Sequence, residues 1–238
     1  MEGFLYINKP TGMTSHDVID ELRRITKIRK IGHAGTLDPF ATGLLICGIG
    51  REATKKLDVF LKQDKEYFAR LKLGFVSDTY DREGKIELKE TKQRPDEKEL
   101  KETLKSFQGE IEQYPPMFSA KKIKGKKLYQ LARRGIKVDL KPVKIKIQQL
   151  EITKYDFPYL EIKVSCSSGT YIRSLANDIG EKLNCGAYLE ELCRTKINGI
   201  SLRSAVNLDE LNSLNWPKFL KLDTDIFLNN NGLRTLNY

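Results

Sequence analysis

The stretch Gly32-His33-Ala34-Gly35-Thr36-Leu37-Asp38-Pro39-Phe40-Ala41-Thr42-Gly43-Leu44-Leu45 limits what this chain can fold into more than any other. Three glycines and a proline inside it exclude one long helix or strand and predict a shaped loop. The loop carries one acid, Asp38, and His33, one of only two histidines in 238 residues. Pro39 biases Asp38 away from helical φ/ψ toward an extended, presented conformation. The run Leu44-Leu45-Ile46-Cys47-Gly48-Ile49-Gly50 that follows has the length and apolarity of a buried strand, so the loop is expected to open off the core. On pattern alone, an aspartate before proline in such a stretch reads as a turn or capping residue more often than as a catalytic acid.

Charge narrows the function classes. The net charge is +10, and residues 121–146 contain eleven Lys or Arg against the single acid Asp139, so the remainder is balanced. A focused basic patch on a neutral body is an electrostatic footprint for a polyanion, the competing reading being a solvated lysine-rich face. Apolar runs fall well short of a membrane span and the N-terminus has no export pattern, which points to a cytoplasmic protein. Cys47, Cys166, Cys185 and Cys193 are scattered without a CxxC pair, favouring buried thiols over a zinc site or disulfide framework.

Along the chain, Gly3-Phe4-Leu5-Tyr6-Ile7 reads as a strand ended by the turn cluster Asn8-Lys9-Pro10-Thr11-Gly12. Thr14 or Ser15 caps a helix with Val18, Leu22 and Ile25 at helical spacing and a basic end at 27–30. A helix is expected over 52–62 and a half-buried strand over 65–73, where Tyr67, Ala69, Leu71 and Leu73 alternate with mostly polar neighbours. Next come an acid-rich turn at 78–84, a short strand at 86–88, and a helix opened by Asp96 and closed by Gly109. Residues 126–134 are expected to be helical, with Leu128 and Leu131 inward and Gly135 as the cap. Residues 143–147 and 160–166 alternate cleanly and should pair as strands of one sheet. A helix follows from about 171 to 184. Arg173 then falls in a first turn, where a cation opposes the helix dipole, and this calls for an anion beside it.

Five ordered motifs carry a resemblance: NKPxGxTSHDV, GHAGTLDPFATGLL, DTxDxxG, PPxFSAxKxxGxxxYxxAR and CSSGTYIRSLAND. With Leu189 to Arg194 as a closing motif, they resemble the tRNA pseudouridine synthase B family over roughly residues 3–200. The resemblance implies an α/β (α+β) pseudouridine-synthase fold, its central sheet mixed but largely antiparallel and flanked by helices. A basic thumb is inserted at about 112–140. The catalytic domain is expected to occupy 1–222, with 223–238 a short tail and no complete PUA domain.

The implied reaction is isomerisation of uridine 55 in the tRNA T-arm, which needs neither cofactor nor metal. The resemblance places Asp38 as the catalytic acid, Arg173 as its partner and Tyr67 as the active-site tyrosine. His33, Tyr171, Leu192, Asp81 and Lys65 are expected at the substrate. Lys121, Lys122, Lys124, Lys126, Lys127, Arg133 and Arg134 are expected on the RNA backbone. His16 is unassigned. Breaking the N1–C1′ bond needs a carboxylate as nucleophile or as base toward the ribose, and both routes stay open. The implied partner is the T-arm stem-loop, with no membrane, no obligatory protein partner and a monomeric state. The rival readings are the guide-RNA-dependent branch and an RNA-folding chaperone.

Overall fold

The structure, a computed structural model, describes residues 1–90, 94–118, 122–123, 126–128 and 140–222. In chain order its elements are β1 Gly3–Lys9, α1 Ser15–Thr26, β2 Ile31–Ala34, β3 Thr42–Ile49, α2 Arg51–Lys55 and α3 Leu57–Leu61. There follow β4 Lys65–Leu73, β5 Phe75–Ser77, β6 Ile86–Leu88, α4 Glu97–Ser106, β7 Gly109–Gln113, β8 Lys122–Ile123 and β9 Lys126–Lys127. The last are β10 Val143–Asp156, β11 Tyr159–Cys166, α5 Ile172–Lys182, β12 Ala187–Ile197, β13 Ile200–Ser201 and β14 Val206–Asn207. Two compact units divide them: Met1–Lys65 with Cys193–Tyr238, and Glu66–Leu192. No helix among the described residues is long and apolar enough to cross a membrane.

In the first unit β1 lies between β3, antiparallel from Gly3↔Ile49 to Lys9↔Gly43, and β14, parallel at Ile7↔Val206. Both faces of this sheet are covered, which is why β1 is almost continuously apolar. Leu5 and Ile7 pack with Val18, Ile19, Leu22 and Ile25 of α1; Phe4 and Tyr6 pack with Ala53, Leu57 and Phe60 of α2 and α3. Helix α1 starts in a capping box. Thr14 Oγ1 accepts the Asp17 amide at 3.1 Å and Asp17 Oδ2 accepts the Thr14 amide at 2.7 Å.

The second unit has the strand order β4-β11-β10-β7. The expected strands 143–147 and 160–166 lie in one sheet as parts of β10 and β11, antiparallel, but they meet only at Ile147 opposite Cys166: residues 149–156 of β10 cover the rest of β11, and Val143–Ile147 pair with β7. On an outward face Arg70 ties three strands together, donating to Glu161 of β11 at 2.7 Å and to Glu191 of β12 at 2.6 Å. Antiparallel pairs predominate, with β1–β14 and β3–β12 parallel, so the sheet class is mixed as expected.

The structure corrects four sequence expectations. The segment 32–45 is not all loop: 31–34 form β2, paired with β3 through His33↔Cys47, and β3 begins at Thr42, which leaves 35–41 as the connection. The helix over 52–62 is two short helices. Lys56, at φ −91° and ψ −2°, ends one and starts the other, its amide bonded to Ala53 O. Strand β10 reaches 14 residues rather than five, because two register shifts move its buried side out of simple alternation. Residues 126 and 127 are strand, paired with 122 and 123, rather than the start of a helix. Positions 129–135 of that expected helix, together with Lys121, Lys124, Arg133, Arg134 and the tail 223–238, lie outside the described residues.

Gly43 allows the close approach of β12 to the root of the 35–41 connection. Its φ is +103°, and a Cβ there would lie 2.6 Å from Arg194 N and nearer still to Arg194 O. Gly12, at φ +83°, has open space around it. Gly43→Ala is therefore expected to destabilise by about 3 kcal/mol or more, strain plus overpacking, and Gly12→Ala by about 1 kcal/mol. Urea unfolding of the two variants against wild type measures the difference.

Candidate active site

Asp38 sits half-buried in the connection 35–41, and its main chain is held on both sides of the carboxylate-bearing residue. From the turn after β1, Lys9 inserts a fully buried ammonium that donates to Pro10 O at 2.7 Å, Met13 O at 2.5 Å and Pro39 O at 3.2 Å. Thr11 Oγ1 donates to Phe40 O at 3.0 Å, and the Gly12 amide to Pro39 O at 2.9 Å. Ser15 Oγ donates to Leu37 O at 3.2 Å and accepts the Leu37 amide at 2.9 Å. The Ala41 amide closes the turn on Asp38 O at 3.1 Å. Leu37 and Phe40 bury their side chains, so the residues flanking Asp38 are anchored in the core while Asp38 reaches the surface.

His33 lies on β2 in the same unit. Its Nδ1 is buried and accepts no hydrogen bond among the described residues. Burial, reinforced by the nearby Arg194 charge, holds its pKa below the ordinary 6.5, so the imidazole is neutral at physiological pH. Lys65 is 7% exposed and donates to Gln63 O at 2.6 Å, Leu61 O at 2.7 Å and Phe60 O at 3.5 Å, satisfying carbonyls at the end of α3.

In the second unit the anion that the position of Arg173 calls for is Asp81. Nη1 of Arg173 donates to Asp81 Oδ2 at 3.1 Å, and the two side chains are 6% and 4% exposed. The other oxygen of Asp81 accepts Thr79 Oγ1 at 2.6 Å and the Glu83 amide at 3.0 Å. Arg173 also donates to Thr79 O at 3.2 Å and, through Nη2, to Phe118 O at 3.0 Å. A solvated hairpin turn does not describe Asp81: both its carboxylate oxygens are bonded inside the fold.

Gln113, 1% exposed at the end of β7, ties this end of the unit to the start of α5. Its Nε2 donates to Tyr171 O at 3.0 Å and its Oε1 accepts the Tyr171 amide at 2.8 Å. One residue past Arg173, Ser174 Oγ donates to Tyr114 O at 2.9 Å. Tyr67 faces inward on β4 with Ala69, Leu71 and Leu73, and Leu192 is buried on β12; each is 7% exposed.

Of the expected site residues, the structure thus brings Arg173 and Asp81 together. It also adds Lys9, Thr11, Ser15, Thr79, Gln113 and Arg194, to which sequence reasoning gave no role at the site. Thr79 stood inside the DTxDxxG motif and Lys9, Thr11 and Ser15 inside the first motif. Gln113 had no local signal at all.

The arrangement is the catalytic-domain fold of a pseudouridylate synthase. It is similar to the structure described as a Cbf5-Nop10-Gar1 complex, with a TM-score of 0.68 and 27% identity over 87% of this chain; this chain spans about half, 52%, of that protein. Residues 23–172 match the N-terminal domain of the TruB family of pseudouridylate synthases, and 173–224 match the tRNA pseudouridylate synthase B C-terminal domain. The tRNA pseudouridine synthase B of Protochlamydia amoebophila is 50% identical over 90% of this chain and 81% of its own length. The Clostridium tetani protein of the same description is 48% identical over 92% and 76%. The chain belongs to the TruB family.

The depressed pKa of His33 has a sign. The unfolded chain takes up a proton near pH 6.5 and the folded protein only at lower pH, so the stability due to neutral His33 is complete above 6.5 and lost as pH falls through the folded value. Urea unfolding at about pH 7.5 and about pH 5.5 should show a larger loss for wild type than for His33→Asn. Equal losses would mean that His33 titrates as a solvated histidine.

Proposed function

We propose that this protein converts uridine 55 of the tRNA T-arm loop to pseudouridine, acting as a monomer, in the cytoplasm, without a protein partner. The observation that carries the reading is the immobilised main chain around Asp38: Leu37, Pro39 and Phe40 are all bonded to the first-motif residues, so a carboxylate is presented from a rigid base.

The reaction breaks N1–C1′, turns the uracil and joins C5 to C1′, the C5 proton leaving as N1 gains one. Reactant and product have the same composition and oxidation level, so no electron or group carrier is called for. In this reading Asp38 acts on the ribose, and Arg173 is the cationic partner that the motif resemblance assigns to it. Asp81 and the carbonyls of Thr79 and Phe118 fix the guanidinium of Arg173 in one orientation. The target base leaves its stack to react, and Tyr67 stacks on the flipped ring while Leu192 walls the pocket. A neutral His33 suits hydrogen bonding to displaced nucleotides without drawing the negative charge of Asp38. Tyr171, whose backbone Gln113 holds, supports from behind, and Lys65 keeps the entry to β4 in place. The basic segment at 121–146 meets the phosphates.

Mass-neutral pseudouridine mapping on an unmodified tRNA transcript tests the reading with the purified protein alone. Modification at position 55 is expected. Activity that appears only when other proteins or a guide RNA are added would overturn partner independence. Asp38→Asn should abolish turnover while tRNA affinity stays within about three-fold, since the change is nearly isosteric. Turnover near the wild-type rate would remove Asp38 from the chemistry.

A second prediction concerns the RNA face. Neutralising Lys121, Lys122, Lys124, Lys126 and Lys127 together should flatten the salt dependence of tRNA binding by about 0.7–0.9 in slope for each phosphate that the lysines no longer neutralise. Filter binding across a salt series measures it, and an unchanged slope would mark the segment as a solvated face.

A further inference from the structure

Arg194 is 1% exposed, on the half of β12 that belongs to the first unit. Among the described residues no carboxylate pairs with it. Its Nε donates to Leu44 O at 2.7 Å and its Nη2 to Gly35 O at 3.0 Å. The Gly35 carbonyl opens the 35–41 connection that carries Asp38, and the Leu44 carbonyl lies in β3 just beyond its other end. Nε and Nη2 belong to one rigid, planar fork, so bonding both carbonyls fixes the distance between the two ends. The backbone of Arg194 is itself held, paired with Gly43, where only glycine leaves room for it.

We propose that Arg194 is a positioning residue for the isomerisation: it staples the two ends of the segment bearing Asp38, so that the carboxylate keeps its place during turnover. The inference rests on the reading of Asp38 as the reacting carboxylate. Lys9, Thr11, Gly12 and Ser15 hold the middle of the connection, at 37, 39 and 40, while Arg194 reaches across it, to Gly35 at its start and to Leu44 of β3, a residue also paired with Asn8 of β1. A staple at the ends predicts a defect in rate rather than in RNA affinity. Lysine keeps the charge but reaches as a single point on a flexible stem, so Arg194→Lys should recover only part of what Arg194→Met loses.

The experiment compares wild type, Arg194→Lys and Arg194→Met by single-turnover rate on an unmodified tRNA transcript, tRNA affinity, and amide hydrogen exchange. For Arg194→Met the expected result is a rate at least about 30-fold lower, an affinity within about three-fold, and faster exchange confined to 35–41. Arg194→Lys should fall between. Rate and affinity falling together, exchange rising equally in β1 and β3, or a wild-type rate would each overturn the proposal. If Arg194→Met does not fold, Arg194→Lys decides by the same criteria. If wild type itself modifies nothing, the functional reading fails, and the exchange data still decide the staple: localised acceleration supports it, uniform or absent change overturns it.

Discussion

A cation buried away from water must find oxygens, and in the first unit Lys9 and Arg194 both find some of theirs on the main chain around Asp38. Lys9 takes a carbonyl from the turn at Pro39, and Arg194 takes one from Gly35 at the start of the connection and one from Leu44 in β3 beyond it. The dependence runs both ways. An irregular connection between strands leaves its own carbonyls without ladder partners, and two fixed cations satisfy them more strongly than neutral donors would. The glycine at 43, the first-motif turn and the final residues of β12 all serve this arrangement.

The second unit solves the opposite problem with an ion pair. Arg173 occupies a first helical turn, where the dipole disfavours a cation, and Asp81 offsets that with a carboxylate whose remaining oxygen is already bonded. With both oxygens of Asp81 and both terminal nitrogens of Arg173 bonded, the guanidinium has one orientation. Removing either partner would leave a buried charge without its present counter-ion.

Local signals were readable and long-range ones were not. The capping box of α1, the Asp96 cap of α4 and the strict alternation of β4 are written in adjacent residues, and the structure contains them. The split of α2 from α3 and the full length of β10 are not, since a bridging conformation at Lys56 and two bulges interrupt the periods that sequence reading relies on. For the site, the dipole argument at Arg173 asked for an anion before any fold was known, while the residues proposed for the chemistry came through motif resemblance. Gln113 and Arg194 stayed hidden because their partners are carbonyls far away in sequence: Gly35 lies 159 residues from Arg194, and a carbonyl has no side-chain identity to search for.

That same anonymity matters at the root of the basic segment. Ser174 and Arg173 grip it at the carbonyls of Tyr114 and Phe118, atoms that nearly any residue would supply at those positions. The grip is therefore blind to what the side chains there become. Substitutions at 114 and 118 can drift, and the lysine-rich stretch beyond can change its sequence, while the helix that carries Arg173 keeps hold of its neighbour. Such an attachment lets the sequence of that stretch vary at a rate separate from that of the helix that holds it.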